Sequence, residues 1–266
     1  MTLSVEELEV RYGARVAVRS ASFDLPPGSL VGLIGPNGAG KSSLLRALAG
    51  VGPHAGRVTW CESDLRGLTP REHARIVAYL PQTATVHWPM RVRDLVALGR
   101  LPHRGYAAKP SSVDVAAVEW AIGQAELVPF ADRAADRLSV GERARVLLAR
   151  ALAVQAPVLL VDEPIAMLDP YHQLQIMSVL RSYATAPAAD SHPDAPPLVV
   201  AVLHDLALAA RFCDRVLLLD TGTLVADGHP EAVMSSEEIE RRYHVAPFIS
   251  RYAGEPLIVP WRRLEP

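Results

Sequence analysis

The stretch that decides the fold is Gly35-Pro36-Asn37-Gly38-Ala39-Gly40-Lys41-Ser42. It satisfies the pattern G-x-x-x-x-G-K-[ST] at every position, and its glycines allow backbone N–H groups to wrap closely around phosphate oxygens. Lys41 supplies a point charge for the outer phosphates, and the hydroxyl of Ser42 can ligate Mg²⁺. We therefore predict that this stretch, the phosphate loop, grips a nucleoside triphosphate.

The neighbouring sequence places the phosphate loop between a strand and a helix. The mostly apolar residues 29–34 predict a short buried strand, and residues 42–49 predict a helix that ends at Gly50. Bound phosphates would then lie at a helix N-terminus, where the helix dipole favours anions. A glycine-rich turn without a ligand is the alternative, and the flanking strand and helix argue against it.

A second stretch, Val158–Val161, is followed directly by Asp162 and Glu163. Four apolar residues bounded by Pro157 and Pro164 are too few for a helix and predict a buried parallel strand. Open α/β sheets bind their ligands at the carboxyl ends of such strands. Asp162 can hold Mg²⁺ through water, and Glu163 can act as general base on an attacking water. An acidic pair at a strand end is more often a loop cap, but the phosphate loop favours the catalytic interpretation.

A third stretch is Leu138-Ser139-Val140-Gly141-Glu142. Ser139 followed three residues later by Glu142 is typical of a capping box, which predicts that a helix begins here. The three stretches, in this order, resemble the ATP-binding subunit of ABC transporters. The resemblance extends from about Leu3 to about Gly228, and the family signature, here Leu138–Glu142, is its most specific part.

The resemblance also implies roles for side chains outside these stretches. Tyr12 would stack on adenine, and Gln82 would sense both Mg²⁺ and the membrane partner. Asp169 would lie at a dimer seam, and His204 would contact the γ-phosphate. Taken singly, these residues could be a turn cap, a solvated loop residue or a structural histidine. Their order along the chain favours the site.

Carried over residue by residue, the resemblance implies three sets of site residues for the cofactors ATP and Mg²⁺. The nucleotide would be bound by Tyr12, Gly35, Pro36, Asn37, Gly38, Ala39, Gly40, Lys41, Ser42, Ser43, Ser139, Gly141, Glu142 and Asp169. The catalytic side chains would be Glu163, His204, Gln82 and Lys41. The metal would be held by Ser42, Gln82 and Asp162.

The working assembly implied by the resemblance has several chains. The signature would lie too far from the phosphate loop of its own chain, so two copies would meet head to tail. Each signature would then close on the other copy's ATP in a C2 homodimer. This homodimer would sit at the cytoplasmic face of the membrane on polytopic permease subunits, served by a periplasmic or lipid-anchored substrate-binding protein.

Two positions depart from the family pattern. Val140 stands where a glycine is usual, and a β-branched residue restricts the local backbone. Ile165 stands where a threonine or serine commonly follows the proline, which removes a hydroxyl. Neither position carries a catalytic side chain, so we expect mild effects on turnover and on the dimer seam.

The run of residues 86–103 narrows the class of transporter. It is similar to ATPases of importers for iron–siderophore complexes, haem and cobalamin, most tellingly in Gly99-Arg100-Leu101-Pro102-His103. Two alternatives remain open: a zinc or manganese importer ATPase, and a soluble ABC ATPase that acts on DNA or ribosomes. A P-loop GTPase would need an Asn-Lys-x-Asp motif, which the sequence lacks, and a P-loop kinase would lack the signature. The spacing of His87 and His103 does not favour a metal site.

Composition agrees with an ATPase that works through a membrane partner. The 266 residues suffice for one large α/β domain with an appended helical lobe, and a net charge of −2 gives no reason to invoke nucleic acid. Cys61 and Cys213 are too few for a disulfide framework. The N-terminus lacks the apolar core of a signal peptide, and no segment is long and apolar enough to span a bilayer.

The overall pattern predicts an α/β fold: a P-loop NTPase (RecA-like) parallel-sheet core with an antiparallel β layer and an inserted helical lobe. Core strands are predicted at 30–34, 76–80, 158–161, 198–203 and 215–220, and the antiparallel layer at about 3–33 and 57–61. The lobe, at about 86–150, lies within an ATP-binding domain of residues 1–240, with predicted helices at 92–98 and 113–124.

Two further segments are predicted to lie outside the core. Residues 184–197 are rich in Pro, Ala and Asp and predict an exposed loop. Residues 241–266 form a C-terminal tail: the end of a short helix, followed by extended chain. Within this tail Trp261-Arg262-Arg263 could be a packing anchor or a contact site, and we expect it to pack against the domain.

Overall fold

The computed structural model describes residues 1–83, 89–104, 108–166, 168–186 and 195–264. Its strands are β1 (Leu3–Tyr12), β2 (Arg15–Leu25), β3 (Leu30–Ile34), β4 (Ala55–Trp60), β5 (Ser63–Asp64), β6 (Val77–Leu80), β7 (Val158–Asp162), β8 (Leu198–Val202), β9 (Arg215–Asp220), β10 (Thr223–Gly228), β11 (Val245–Tyr252) and β12 (Glu255–Arg263). Its α-helices are α1 (Lys41–Leu48), α2 (Pro70–Ile76), α3 (Val92–Ala97), α4 (Ser112–Gln124), α5 (Val140–Leu152), α6 (Pro170–Ala184), α7 (Leu206–Phe212), α8 (Pro230–Val233) and α9 (Ser236–Tyr243). Short 3₁₀ helices occupy Leu65–Gly67, Leu98–His103, Val128–Phe130 and Ala135–Arg137.

A largely parallel sheet runs through the centre of the molecule. In the described chain it has six strands in the order β10-β9-β3-β8-β7-β6, and β10 alone is antiparallel to its neighbour. β3, β7 and β8 are buried along their whole length, as their mainly apolar sequences require in a sheet covered on both faces. The predicted parallel core is confirmed. Three strand ends differ from the prediction by one residue. Ile76 ends α2 so that β6 begins at Val77, β7 extends to Asp162, and β8 ends at Val202.

A separate antiparallel sheet lies beside α1. Its strands follow the order β2-β1-β4-β5. Leu8 and Val18 from this sheet are fully buried and share one apolar core with Leu44 and Leu45 of α1. The sheet therefore supports the helix that starts at the phosphate loop. The predicted antiparallel layer is confirmed, although β4 begins two residues before the predicted strand.

The helical lobe consists of α3, α4 and α5, which pack against one another. Apolar side chains from all three helices, including Val92, Ile122 and Leu148, are buried in a second core that continues beneath the parallel sheet. α5 ends close to the start of β7, so the lobe is joined directly to the strand that carries Asp162.

The segment Gly99–His103 has a structural function within this lobe. Arg100 is 4% exposed, and its Nη1 donates to the carbonyl oxygens of Ala153 at 2.8 Å and Val154 at 3.1 Å. Its Nε pairs with Asp114 at 3.0 Å. Carbonyl oxygens at the end of a helix lack hydrogen-bond donors within that helix. Arg100 supplies donors to those that follow α5 and, through Asp114, connects this end to α4.

The C-terminal tail differs from its prediction. β11 and β12 form an antiparallel hairpin directly after α9, where only extended chain was expected. The expectation that Trp261 packs as an anchor is wrong, because its side chain is 76% exposed and contacts the ring of Phe248. Ile258, which is 1% exposed, anchors the hairpin in the core instead.

Two sequence predictions fall partly outside the described residues. These are the start of the run 86–103, because residues 84–88 are not described, and most of the predicted loop 184–197, because residues 187–194 are not described. The flanking structure is clear: α6 continues through Ala184, and β8 begins at Leu198.

Candidate nucleotide-binding site

The phosphate loop connects β3 to α1 and is closed on two sides by backbone. A Cβ atom on Gly35 would lie 1.9 Å from the carbonyl oxygen of Leu219, and one on Gly40 would lie 2.2 Å from that of Ala17. Both glycines also have positive φ angles, 147° and 102°. Only glycine satisfies both conditions, so neighbouring strands β9 and β2 fix the course of the loop.

Lys41 begins α1 beneath this loop. Its Nζ donates to the carbonyl oxygens of Gly35 at 2.7 Å and Pro36 at 3.0 Å, and the residue is 5% exposed. Burial lowers the pKa of Lys41 from its usual value, while the charges of Glu163 and Asp162 oppose this shift. The ammonium group is thus held by carbonyls, so incoming phosphate oxygens can replace neutral partners with charged ones.

A cavity of about 250 Å³ opens over the phosphate loop, and half of the predicted nucleotide-binding residues line it. It is lined by Tyr12, Arg15, Ala17, Asn37, Gly38, Gly40, Lys41, Ser42, Ser43, Glu163 and His204. Sequence reasoning did not identify Arg15 or Ala17. Arg15 follows Tyr12 by three residues at the start of β2, and this closeness was the available signal. Ala39 of the loop is buried and lies beneath this surface.

The side chains of Ser42 and Asp162 meet at the carboxyl end of β7. Ser42 Oγ donates to Asp162 Oδ1 at 2.9 Å, and Asp162 is completely buried. Its other oxygen, Oδ2, is buried without a hydrogen bond of ordinary geometry. Burial raises the pKa of Asp162, and the neighbouring Glu163 carboxylate adds to this effect.

This pair fits a divalent cation. A buried, unpartnered carboxylate oxygen beside a hydroxyl is a set of hard oxygen donors, which Mg²⁺ prefers. The described chain contains no group of three or more His, Cys, Asp or Glu side chains that could hold a metal. A cation at Ser42 and Asp162 would therefore take further ligands from phosphates, water or an amide oxygen.

Glu163 is held between two polar side chains. Gln82 Nε2 donates to its Oε2 at 2.6 Å, and His204 Nε2 lies 2.7 Å from its Oε1. The backbone of Glu163 has φ 51°, a strained conformation for a non-glycine residue that is common at functional sites. Three residues that are far apart in sequence thus converge where β6, β7 and β8 end.

A second cavity, of about 260 Å³, lies on the other side of Glu163. It is lined by Leu80, Pro81, Gln82, Thr83, Val140, Arg143, Ala144, Leu147, Asp162, Glu163, Pro164, Ala166 and Leu168. Gln82 therefore shares a cavity with the metal candidate Asp162, although its observed hydrogen bond goes to Glu163. This cavity connects the end of the central sheet to α5 of the helical lobe.

The signature residues form the capped start of α5. Ser139 is the N-cap: its Oγ accepts from the N–H of Glu142 at 3.2 Å, and Glu142 Oε2 accepts from the N–H of Ser139 at 2.7 Å. The latter bond lowers the pKa of Glu142. Val140 is 56% exposed, so this departure from the family pattern meets no crowding within the described chain. Ile165, the other departure, is buried in the lobe-side core, where an apolar side chain is favoured.

Asp169 performs the same capping function for α6. Its Oδ1 accepts from the N–H of His172 at 3.0 Å, and this bond is the main cause of its lowered pKa. Among the described residues that line the phosphate-loop cavity, none comes from the signature or is Asp169. The fold therefore brings the phosphate loop, Glu163, His204 and Gln82 together, and places Ser139, Gly141, Glu142 and Asp169 elsewhere.

No helix in the described ranges is long and apolar enough to cross a membrane.

His103, one of the two histidines considered for a metal site, bonds through Nε2 to the carbonyl oxygen of Val154 at 2.8 Å. His87, the other, lies outside the described residues.

Comparisons with known proteins agree with this geometry. The model of a family described as "ABC transporter" matches residues 18–166. The hemin import ATP-binding protein HmuV of Pseudomonas fluorescens is 38% identical over 265 residues, covering 97% of this chain and 99% of that protein. The cobalamin import ATP-binding protein BtuD of Halobacterium salinarum is 41% identical over 244 residues, covering 91% of this chain and 59% of that protein. A solved structure described as a metal-chelate type ABC transporter in an inward-facing conformation has a TM-score of 0.81 and 27% identity, covering 98% of this chain and 97% of that chain.

Proposed function

The chain belongs to the ABC transporter family and is an ATPase of that family, and on this premise we propose that it powers a membrane importer for haem, cobalamin or an iron–siderophore complex. The observation that carries the proposal is the similarity to a hemin import ATP-binding protein, which covers 97% of this chain and 99% of the relative. The relatives do not favour the alternatives of a zinc or manganese importer ATPase or of a soluble ABC ATPase.

ATP would bind in the cavity over the phosphate loop. The loop residues Gly35–Ser43 would enclose the phosphates, with Lys41 exchanging its carbonyl partners for phosphate oxygens. Tyr12 is 43% exposed at the rim of this cavity, which leaves its ring free to stack on adenine. Arg15 lines the same cavity, and we expect its guanidinium to face the phosphates.

Hydrolysis would take place at Glu163. Its carboxylate would accept a proton from the attacking water, while His204, now hydrogen-bonded to Glu163, would turn to the γ-phosphate. Ser42, Asp162 and Gln82 would hold Mg²⁺, which would neutralise phosphate charge when bound. Gln82 would have to release Glu163 to do so, because its amide now donates to that carboxylate.

The second half of the site would come from another copy of this chain. Gly141 lies in the first turn of α5, where a Cβ atom would meet no described atom closer than 3.6 Å. Neither the backbone nor the packing of this chain therefore requires a glycine at this position. A phosphate that approaches the start of α5 from outside would require one, since backbone N–H groups there can bind an anion closely. A head-to-tail homodimer supplies that phosphate to both copies.

The membrane partner would act through Gln82. Gln82 lines the cavity that joins Glu163 to α5, so a permease bound near it could change both the catalytic carboxylate and the signature helix. We accordingly place the homodimer at the cytoplasmic face of the membrane. Its partners there would be polytopic permease subunits and, across the membrane, a periplasmic or lipid-anchored substrate-binding protein.

The proposal is tested by capturing the partner. Tagged Glu163→Gln protein is incubated with detergent-solubilised native membranes and Mg-ATP, and the bound proteins are identified by mass spectrometry. We expect a polytopic permease, recovered with Glu163→Gln and lost when Lys41→Ala is added, because that change removes ATP-dependent binding. Cargo is then assigned by adding haem, cobalamin or ferric siderophore to the reconstituted complex and measuring ATP hydrolysis. Recovery of soluble proteins or nucleic acid alone would contradict the importer.

A further inference from the structure

A histidine beside the seam aspartate has no role in the mechanism above. His172 lies in the first turn of α6, three residues after the N-cap Asp169. Its Nδ1 is 2.7 Å from Asp169 Oδ2, and its backbone N–H donates to Oδ1 at 3.0 Å. A carboxylate can only accept, so Nδ1 carries the proton of this bond. Both oxygens of Asp169 are thus held by one residue.

The same imidazole ring also lies close to the signature. A Cβ atom built on Gly141 would be 3.6 Å from Cγ of His172 and 3.7 Å from its Nδ1, so the ring faces the open side of this glycine. Leu168 approaches the same point at 3.7 Å. The side chain of His172 is 26% exposed. Its ring packs edge-on with the ring of Tyr171, with 5.4 Å between the two ring centroids. His172 is therefore bonded to the seam residue Asp169 and lies beside the signature residue Gly141, 28 residues earlier in the sequence.

We propose that His172 is a positioning residue for closure of the ATP-bound dimer. By fixing the Asp169 carboxylate beside the start of α5, it keeps seam and signature in the arrangement in which both close on the partner copy's ATP. This inference rests on the proposed head-to-tail homodimer. Because His172 does not line the phosphate-loop cavity, binding of ATP to a single chain is independent of it.

The two ring nitrogens can be tested separately. An asparagine at position 172 places an amide N–H near the position of Nδ1, whereas a glutamine places one near Nε2. All variants are made in the Glu163→Gln protein, which separates dimerisation from turnover. The matched control is His229→Ala, since His229 is an exposed histidine at a helix N-cap whose side chain makes no capping bond.

The measured quantity is the protein concentration at half-maximal dimerisation in saturating ATP, determined by analytical ultracentrifugation. We expect His172→Ala and His172→Gln to raise it about tenfold, the factor that corresponds to loss of one hydrogen bond to a charged group. His172→Asn and His229→Ala should stay within about twofold of the parent. The Kd of the single chain for ATP should be unchanged in every variant.

Two results would overturn the inference while leaving the proposed function intact. One is dimerisation of His172→Ala at the parent concentration. The other is rescue by glutamine but not by asparagine, which would assign Nε2 a direct contact in the closed dimer instead of a positioning role. If the Glu163→Gln parent itself does not dimerise with ATP, the homodimer of the proposed function is wrong, and the inference falls with it.

Discussion

The phosphate-loop cavity and the signature end of α5 differ in how their polar groups are satisfied. In the cavity, Lys41 is bonded to loop carbonyls, Ser42 to Asp162, and Glu163 to both Gln82 and His204. Apart from Lys41, whose carbonyl partners lie in the same loop, these groups have partners that are far apart in sequence and meet at the end of the central sheet.

At the signature, the bonds are local. Ser139 and Glu142 cap the first turn of their own helix, and Val140 points outward. One half of the site is thus assembled within the chain from residues that the fold brings together. In the proposed homodimer, the other half is a locally capped helix end that acts on the partner copy's ATP.

The strongest test of this comparison is to remove the general base from the assembled half. In Glu163→Gln the amide keeps the size of the side chain but cannot accept a proton from water. We expect kcat to fall at least about 100-fold, in the range attributed to a general base. The Kd for ATP should change less than about threefold, since Lys41 and the loop are intact. Phosphate release and nucleotide titration measure the two quantities.

The control for this prediction is Glu62→Gln. Glu62 is an exposed glutamate that shares the left-handed backbone of Glu163, with φ 67°, but lies in a surface turn. Its change should leave both quantities as in the wild type. Near-normal turnover of Glu163→Gln would show that Glu163 is not the general base, and the assembled half would then not be the catalytic one.

A second test asks whether the two halves act in the same chain. Lys41→Ala disables the assembled half. Gly141→Asp disables the signature end of α5, because it places a negative charge where a phosphate would approach. We expect each variant alone to hydrolyse ATP at less than about a tenth of the wild-type rate. An equal mixture should recover about a quarter of that rate, because half of its dimers are mixed and each has one intact site.

The matched control mixes Lys41→Ala with Glu163→Gln. Both changes lie in the assembled half, so no mixed dimer contains an intact site and no activity should return. No recovery in the first mixture would show that the site is completed within one chain. Recovery in this control would show that Lys41 and Glu163 act on one ATP from different chains.

The assembled half was also the more predictable from sequence. The phosphate loop and Val158–Val161 are local patterns, with Gly and Pro at their borders, and their strands follow from continuous apolar runs. The convergence of Gln82 and His204 on Glu163 was available only through the family resemblance, because no local pattern relates β6, β7 and β8. Arg15 was missed for a different reason: it follows Tyr12 by only three residues, but no motif marked it.

The C-terminal hairpin and the His172 contact show what the sequence could not reveal. Pro247, Pro256 and Pro260 lower the expectation of strands, yet β11 and β12 tolerate them because each has an edge without a partner strand in the described chain. The approach of His172 to Gly141 joins two helix starts that no local pattern relates. Both are consequences of tertiary packing.

The smallest expected effect concerns the energetic difference between the two aspartates. Asp162 is buried and its pKa is raised, so its ionised form costs stability at pH values above the carboxyl pKa of the unfolded chain, about 3.9. Asp162→Asn removes that charge, and the new amide can donate toward the neighbouring hydroxyl of Tyr79. With EDTA and no nucleotide at pH 7.5, we expect Tm to rise by about 3 °C.

The ionised carboxylate of Asp169 has the opposite effect on stability, because the backbone N–H of His172 lowers its pKa. A lowered pKa contributes stability that is present at neutral pH and is lost as the pH falls through the folded value. Asp169→Asn should therefore leave Tm unchanged or slightly lower at pH 7.5, since asparagine also caps helices well. The gain from Asp162→Asn should shrink as the pH falls, because the raised pKa lets the wild-type carboxylate take up its proton in the folded protein. Scanning calorimetry at pH 7.5 and 5 measures both trends. A fall in Tm for Asp162→Asn at pH 7.5 would mean that the buried charge stabilises the site without its ligands. The assembled half would then carry no electrostatic cost that binding of ATP and Mg²⁺ could offset.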